Sequence, residues 1–520
     1  MSGSHTRPPA VVPDPGRHWA PWVLYVVVFL VALALRLGPL LVQHTLGGVL
    51  EYDDGVHFSS AVELVAGHLP YRTFVFVQPP GITVLLAPFA GLAHLTGDVA
   101  ALVTSRLVFM VIAAGNAVLV SHLVRQRGRV AMWAAGLLYA TWGATVAAEH
   151  TLLLEPLLTF ALLVAMTQWG RTDGNLTGLW AGVALGAGTA VKIWMGPVAL
   201  VVLVLFWRRD ALRSSVRFLA GYLGSLALIC GPFLIAAPSA FLREVIIDQT
   251  NRPNSGASLW DRLQYLSGLA NHPALDGHLT VHGLAVMVIA GLLVLVALTW
   301  RDPGARPWWV LAAVTMLLVL VAPSFSYHYV DFPAGPICVL VGVAAGRCDE
   351  LAGRWREQDR SGAFFRRGLV VVGSLVLAGL AVAAFGATTG TAITAPALGS
   401  FARQQTCLWS SSTTAGSILL SLGVETAQVA RMCPFTVDPY GEVLDLSRNE
   451  PDRSDDVVAV NGPETPAWQR IVRRQLLGSS AAVGPVGEVS HGWDPTTEAL
   501  FHRLYRPVGS ADGFAYFERR

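Results

Sequence analysis

Glu51-Tyr52-Asp53-Asp54-Gly55-Val56-His57-Phe58 stands just beyond the first long apolar segment of this chain. A carboxylate pair at the exit of a membrane segment is a poor packing element, because an ionised carboxylate beside lipid is expensive to desolvate. Two more landmarks follow: Gln78-Pro79-Pro80-Gly81, and then the acidic stretch Glu149-His150-Thr151-Leu152-Leu153-Leu154-Glu155-Pro156. The side of the membrane on which these three fall decides the topology and the chemistry open to the chain.

The 520 residues are 53% hydrophobic and 13% charged, with a mean hydropathy of +0.52. Soluble domains carry about 25% charged residues, so composition alone places the chain among integral membrane proteins. There is no P-loop, no Rossmann glycine fingerprint, and no HExxH or CxxC zinc spacing. No nucleic-acid partner is expected. The single lysine, Lys192, among so many arginines is the composition of a GC-rich bacterial genome.

Apolar stretches able to cross about 30 Å of hydrocarbon fall at 21–41, 100–123, 130–148, 152–170, 176–192, 194–207, 217–236, 283–299, 308–323, 328–346 and 368–386, eleven spans in all. Arginines follow alternate spans: Arg125, Arg127 and Arg129; Arg171; Arg208, Arg209, Arg213 and Arg217; Arg301 and Arg306; then Arg347 through Arg367. With Arg7 and Arg17 on the N-terminal tail, the positive-inside rule puts all of them in the cytoplasm. The N-terminus is then inside and everything after about 387 outside. Pro80–Leu95 is apolar enough to be a span, but counting it reverses every later loop. It reads instead as an interfacial helix within a long first external loop, 42–99.

The expected fold is therefore an all-α polytopic membrane domain, 21–390, preceded by a cytoplasmic tail, 1–20. A small extracytoplasmic α/β domain, 391–520, follows it. In that last region the β-like runs Val457–Val460 and Ala482-Val483 flank a helical Trp468–Leu477, and Gly513–Phe517 closes the chain. Its role reads as a packing or acceptor-binding lobe. Cys407 and Cys433 both lie there, outside, and form a candidate disulfide; Cys230, Cys338 and Cys348 lie in or beside spans and read as small apolar residues.

This topology gathers acids on the outer face: Glu51, Asp53, Asp54, Glu149, Glu155, Asp248, Asp261 and Asp331 among them, with His57, His150, His272, His278 and His328. A membrane enzyme whose donor is a sugar on a lipid phosphate needs such a face. One carboxylate deprotonates the acceptor hydroxyl, and cations or a metal hold the leaving phosphate. It needs no nucleotide-binding domain, because the donor arrives in the bilayer.

At these residues the chain resembles the C-type (GT-C) glycosyltransferase superfamily, in the branch related to protein O-mannosyltransferases and lipid A aminoarabinose transferases. Leu35-Arg36-Leu37 followed by Asp53-Asp54 is similar to the family's Arg–Leu and Asp–Glu pattern at the end of its first span. Gln78-Pro79-Pro80-Gly81, Ser105-Arg106-Leu107 and Leu154-Glu155-Pro156 occupy the places of its later motifs. The family's acidic pair is Asp-Glu where this chain has Asp53-Asp54, and relatives often carry Asp where it has Glu155. The resemblance spans roughly residues 20–210. It implies an inverting hexosyl- or pentosyltransferase working from a polyprenyl-phosphate sugar, with Asp53 as acceptor base supported by Asp54 and Glu155. A divalent cation, magnesium or manganese, would take Asp54, Glu155 and Glu149. The acceptor is an extracytoplasmic glycan, lipid or protein.

Cations that suit the donor phosphate are Lys192, Arg106, Arg243 and His328. Lys192, in Val191-Lys192-Ile193-Trp194, serves equally as a snorkelling interfacial lysine. Tyr327-His328-Tyr329 reads either as cavity lining or as an aromatic belt. Arg252 and Arg262 share the 237–282 loop with Arg243, and Arg36 reads as a snorkelling residue. Two other functions fit a one-sided acidic face less well. A flippase for a lipid-linked saccharide predicts ionisable groups at mid-membrane in two repeated halves, and an inactive scaffold predicts an Asp53 whose loss changes nothing.

Overall fold

A segment in hydrocarbon has no water to satisfy its backbone, so long apolar runs close their hydrogen bonds internally as helices. The computed structural model describes residues 21–171, 176–270, 280–358, 373, 375–386, 390–410, 414–446, 465–490 and 492–520. Its membrane part runs α1 (Pro21–Val42), α2 (Tyr52–Val65), α3 (Gly81–Thr96), α4 (Asp98–Leu123), α5 (Arg129–Thr141), α6 (Gly143–Glu149), α7 (Glu155–Trp169) and α8 (Thr177–Val191). It continues through α9 (Met195–Ala236), α10 (Leu259–Leu266), α11 (Val281–Thr299), α12 (Arg306–Val321), α13 (Asp331–Gln358) and α14 (Leu375–Gly386).

Among the described residues, five helical stretches are long and apolar enough to cross a membrane alone: Trp22–Val42, Asp98–Leu123, Leu212–Ala236, Val281–Thr299 and Tyr327–Arg354. A sixth forms if α5 and α6, bent by 55° at their junction, count as one. The expectation of eleven spans is thus met in part; the other expected spans fall on the shorter helices α7, α8, α12 and α14 and on the first part of α9. α7 and α8 have 15 residues each. At 1.5 Å per residue that is about 22 Å, against a hydrocarbon core of about 30 Å. Both stop short at the same end, where the acidic stretch and Lys192 sit in irregular chain. Such backbone is tolerated at membrane depth only where it lines a cavity or is packed in protein.

α9 is helical over 42 residues, yet it doubles back. The rings of Phe206 and Phe218 are 5.8 Å apart, whereas twelve residues of straight helix would separate them by about 18 Å. The α5–α6 break has a local cause too. A Cβ on Gly143 would collide with the Gly268 carbonyl oxygen, and Trp142 Nε1 donates to the Leu266 carbonyl at 3.1 Å.

The helix directions sort the charges. α5 begins at Arg129 and its continuation α6 ends at Glu149; α7 begins at Glu155 and ends beside Arg171; α8 ends at Lys192; α13 begins at Asp331 and runs to Arg347 and beyond. At the arginine end Arg127 pairs with Asp302 at 2.7 Å, and Arg347 donates to the Leu298 carbonyl at 3.0 Å. At the other end lie the acids.

The C-terminal region holds a four-stranded sheet, β1 (Leu408–Ser410), β2 (Ala481–Pro485), β3 (Tyr505–Ala511) and β4 (Phe514–Arg519), in the order β1-β2-β4-β3. β1 and β2 are parallel and the other pairs antiparallel. The expected helix is α16 (Pro466–Gly478), preceded by α15 (Ala415–Leu422). Val457–Val460, expected as a strand, lie outside the described residues, as do His272, His278 and residues 1–20. Cys407 and Cys433 are disulfide-bonded, with Cα atoms 5.5 Å apart.

This region is no detached lobe. Every residue of α15 is buried, Ser417 and Ser421 included. Ile418 and Leu419 pack beneath the sheet with Leu408 and Val483, while Leu420 belongs to the membrane-domain core. Val77, in the first loop, packs with Trp409, Trp468 and Phe501. Val49 and Thr391 form a bridge at the other edge of the junction.

Candidate functional site

α2 positions the acidic pair. Its first turn carries Asp53 and Asp54, and successive helical residues point about 100° apart. The two carboxylates therefore face different surroundings. Asp54 points inward and is wholly buried. It pairs with Arg106 of α4 and accepts from the Thr151 hydroxyl at 2.7 Å. The Ser417 hydroxyl of α15 lies 2.7 Å from its other oxygen. Arg106 also donates to the Leu46 and Gly48 carbonyls at 2.7 and 2.9 Å.

Asp53 points elsewhere, towards His328, with 39% of its side chain exposed. Its Oδ2 lies 3.4 Å from Nε2 of His328, and His328 Nδ1 lies 2.8 Å from Glu155 Oε2. Glu155 in turn receives the Lys192 ammonium at 2.6 Å. Lys192 is boxed in by Tyr329 and Trp194, whose ring centroids are 3.9 and 4.2 Å from Nζ. Both ring nitrogens of His328 face carboxylate oxygens, so both act as donors and the ring is an imidazolium. Burial acts to raise the Asp53 pKa, but the hydrogen bond and charge of His328 outweigh it and hold the carboxyl down to about 2. Glu51, two residues earlier and bonded to the Tyr327 hydroxyl, goes the other way: burial lifts it to about 7.

A second buried network lies deeper. Arg36 of α1 is fully buried and pairs with Glu149. It donates to the Ala32 and Ala140 carbonyls at 3.0 Å. Tyr139 and Asn116 reach the other Glu149 oxygen at 2.7 and 3.2 Å, and Tyr139 approaches Asp331 at 3.4 Å.

Residues 76–323 match the family model of glycosyltransferase family 87. The structure is similar to ArnT from Cupriavidus metallidurans bound to undecaprenyl phosphate, with a TM-score of 0.53 at 15% identity over 95% of this chain and 97% of that one. The apo form of the same protein gives 0.53 at 16% identity with the same coverage. The Archaeoglobus fulgidus oligosaccharyltransferase in complex with Zn and sulfate gives 0.50 at 11% identity over 95% of this chain and 73% of that one. The chain thus shares the fold of these proteins, and its residues 76–323 are similar to a glycosyltransferase family. None of the curated proteins compared with it matches.

Within this fold, the residues singled out by sequence divide into three groups. Asp53, His328, Glu155 and Lys192 form one continuous chain of contacts. Asp54 and Arg106 lie directly behind it, joined to each other. Glu149 is apart, held by Arg36. That division corrects two expectations. Asp54, Glu155 and Glu149 do not converge as metal ligands, because each carboxylate is drawn to a different cation; among the described residues no group of three His, Cys, Asp or Glu side chains could hold a metal ion. Arg36 is a buried ion-pair partner, not a snorkelling residue.

The phosphate-binding expectations change as well. Arg106 is sealed under Asp54, and Lys192 is engaged by Glu155. Arg243 lies away from Asp53, paired with Asp445 of the C-terminal region at 3.1 Å and with Glu244. Arg252, on the same loop, is better placed. Its guanidinium lies 5.2 Å from the Tyr440 ring centroid, its Nε has no hydrogen-bond partner, and it pairs with no carboxylate among the described residues. Burial acts against its charge, but Tyr329, Tyr440, Asp438 and Asp53 outweigh that and raise its pKa. Sequence reasoning named Arg252 without ranking it above Arg243, because both are arginines of one loop. It missed Ser417, Asp438 and Tyr440 altogether, and no local motif marks them.

Proposed function

We propose that this chain is a membrane glycosyltransferase that moves a sugar from a polyprenyl-phosphate donor to an acceptor hydroxyl on the outer face of a bacterial plasma membrane, with Asp53 as the base. One observation carries the reading. Of the acids at this end, Asp53 keeps 39% of its side chain exposed while the His328 imidazolium beside it keeps it ionised. Asp54, Glu149 and Glu155 are instead buried against Arg106, Arg36 and Lys192.

In this reading the acceptor hydroxyl approaches Asp53, and its oxygen attacks the anomeric carbon from the face opposite the phosphate. The new C–O bond forms as the carbon–phosphate oxygen bond breaks, so the configuration inverts. The proton passes to Asp53 and the electron pair leaves with the lipid phosphate, whose charge Arg252 meets. A carboxylate held at so low a pKa is a weak base in the ground state. It suits a transition state in which the acceptor oxygen has already become acidic by bonding to an electron-poor carbon. His328 and Glu155 fix where Asp53 points, and Lys192 fixes Glu155. The match to a glycosyltransferase family model and the fold shared with a protein crystallised with undecaprenyl phosphate support the donor class.

The test is Asp53→Asn in the purified, detergent-solubilised protein, assayed against a panel of polyprenyl-phosphate hexoses and pentoses. General-base loss costs on the order of 10²–10⁴ in rate, so transfer should fall by at least the lower figure with the fold intact. Retained turnover removes Asp53 from the base role. Movement of a lipid-linked saccharide without bond cleavage overturns the enzyme reading in favour of a flippase.

A further inference from the structure

The C-terminal region grips the residues on both sides of Asp53. Tyr52 precedes it: its hydroxyl donates to Asp438 Oδ1 at 3.1 Å and receives the Tyr440 backbone N–H at 2.9 Å. Asp438 is itself fixed by the Gly441 N–H at 2.8 Å and by the Val77 N–H at 3.3 Å. Asp54 follows Asp53, and the Ser417 hydroxyl lies 2.7 Å from its Oδ1 and 2.7 Å from the Glu51 carbonyl. α15 also meets α2 backbone to backbone. A Cβ on Gly55 would strike the Ser417 backbone nitrogen, and one on Gly416 would come within 3.0 Å of the Gly55 carbonyl carbon and 2.5 Å of Ser59 Oγ. A third tie joins Thr426 to Asp98 at the start of α4, its N–H donating at 3.2 Å.

From this we infer that the C-terminal region is a working part of the active centre, with Tyr52, Asp438 and Ser417 as positioning residues that set the first turn of α2 and so the direction of the Asp53 carboxylate. The physical reason lies at the helix start. The first four N–H groups of a helix have no partner within it, and Glu51 at the α2 N-cap makes no side-chain capping bond. An uncapped first turn frays unless something outside holds it. Here Asp438 and Ser417 hold it, from a segment more than 350 residues away along the chain, the Tyr52–Asp438 separation being 386. The inference rests on Asp53 as the base, and it assigns the C-terminal region a role beyond packing or acceptor binding.

The experiment compares the full-length protein with Tyr52→Phe, Ser417→Ala and the double variant, none of which removes a group that touches substrate in the proposed reaction. Hydrogen exchange is followed in the peptide covering residues 56–62, in which the amides of 56–59 bond to the carbonyls of the first turn of α2. At least tenfold faster exchange is expected there, with exchange in α4 and α13 unchanged. Turnover of an isoprenyl-phosphate hexose should lose at least tenfold in kcat, with the donor KM within about twofold of wild type. The double variant should lose less than the two single losses multiplied together. Unchanged exchange in both single variants overturns the inference whatever the activity. So does faster exchange with an unaltered kcat, or an equal change in KM and kcat. If the wild-type protein transfers no sugar from any donor in the panel, the proposed function fails by itself. The exchange result then decides alone whether the C-terminal region holds α2.

Discussion

Asp53 and Asp54 are the same residue type one position apart, and their fates separate because a helix turns by about 100° per residue. Asp54 becomes a buried structural anion, and Asp53 an exposed one tuned by His328. The tuning has a testable sign. Asp53 must be ionised to accept a proton, and His328 is the group that outweighs burial and keeps its pKa near 2. In His328→Gln the burial acts with far less opposition, so the pKa rises. Activity should then be lost as pH falls through the raised value. The pH profile of kcat/KM is expected to show an acidic limb at clearly higher pH in His328→Gln than in wild type. Coincident limbs would separate His328 from the control of Asp53.

The helices are set by buried ion pairs at their ends. Arg36 ties α1 to Glu149 at the end of α6, Arg106 ties α4 to Asp54 on α2, and Lys192 ties the end of α8 to Glu155 at the start of α7. Removing one member of such a pair leaves an uncompensated buried charge, at a cost of about 3–5 kcal/mol, whereas replacing both members is often neutral. Arg36→Met alone should therefore lower unfolding stability by that order in detergent. Arg36→Met with Glu149→Gln should regain most of it. Chemical denaturation of the two variants checks this, and equal losses would show that the ion pair does not carry the α1–α6 junction.

Over the whole molecule, the junction between the membrane helices and the C-terminal region encloses several carboxyls. Glu244, which accepts the Phe76 N–H at 2.9 Å, and Glu442 are both lifted by burial from an ordinary 4.5 to about 7. The folded state thus binds these protons more tightly than the unfolded chain, and between those values it holds more of them. Stability must then fall as pH rises through that window. Thermal unfolding of the purified protein should show a midpoint that declines from pH 5 to pH 8, with a flatter decline in Glu244→Gln/Glu442→Gln. A midpoint that rises across that range would mean these carboxyls are not protonated at the folded junction.

Composition and the arginine pattern were enough to read a polytopic helical protein with its acids at one end, because lipid permits few other solutions for an apolar backbone. The landmarks Asp53, Glu155, Lys192 and His328 were legible for the same reason: a charge at membrane depth is too costly to be idle. Which carboxylate meets which cation was not legible. Arg106 and Arg243 read like phosphate ligands until the helices brought Asp54 and Asp445 beside them, and the supposed metal ligands parted for the same cause. Least visible was the hold of Asp438 and Ser417 on α2. No local pattern records a contact across most of the chain; it exists only once Gly55 and Gly416 allow two helices to touch.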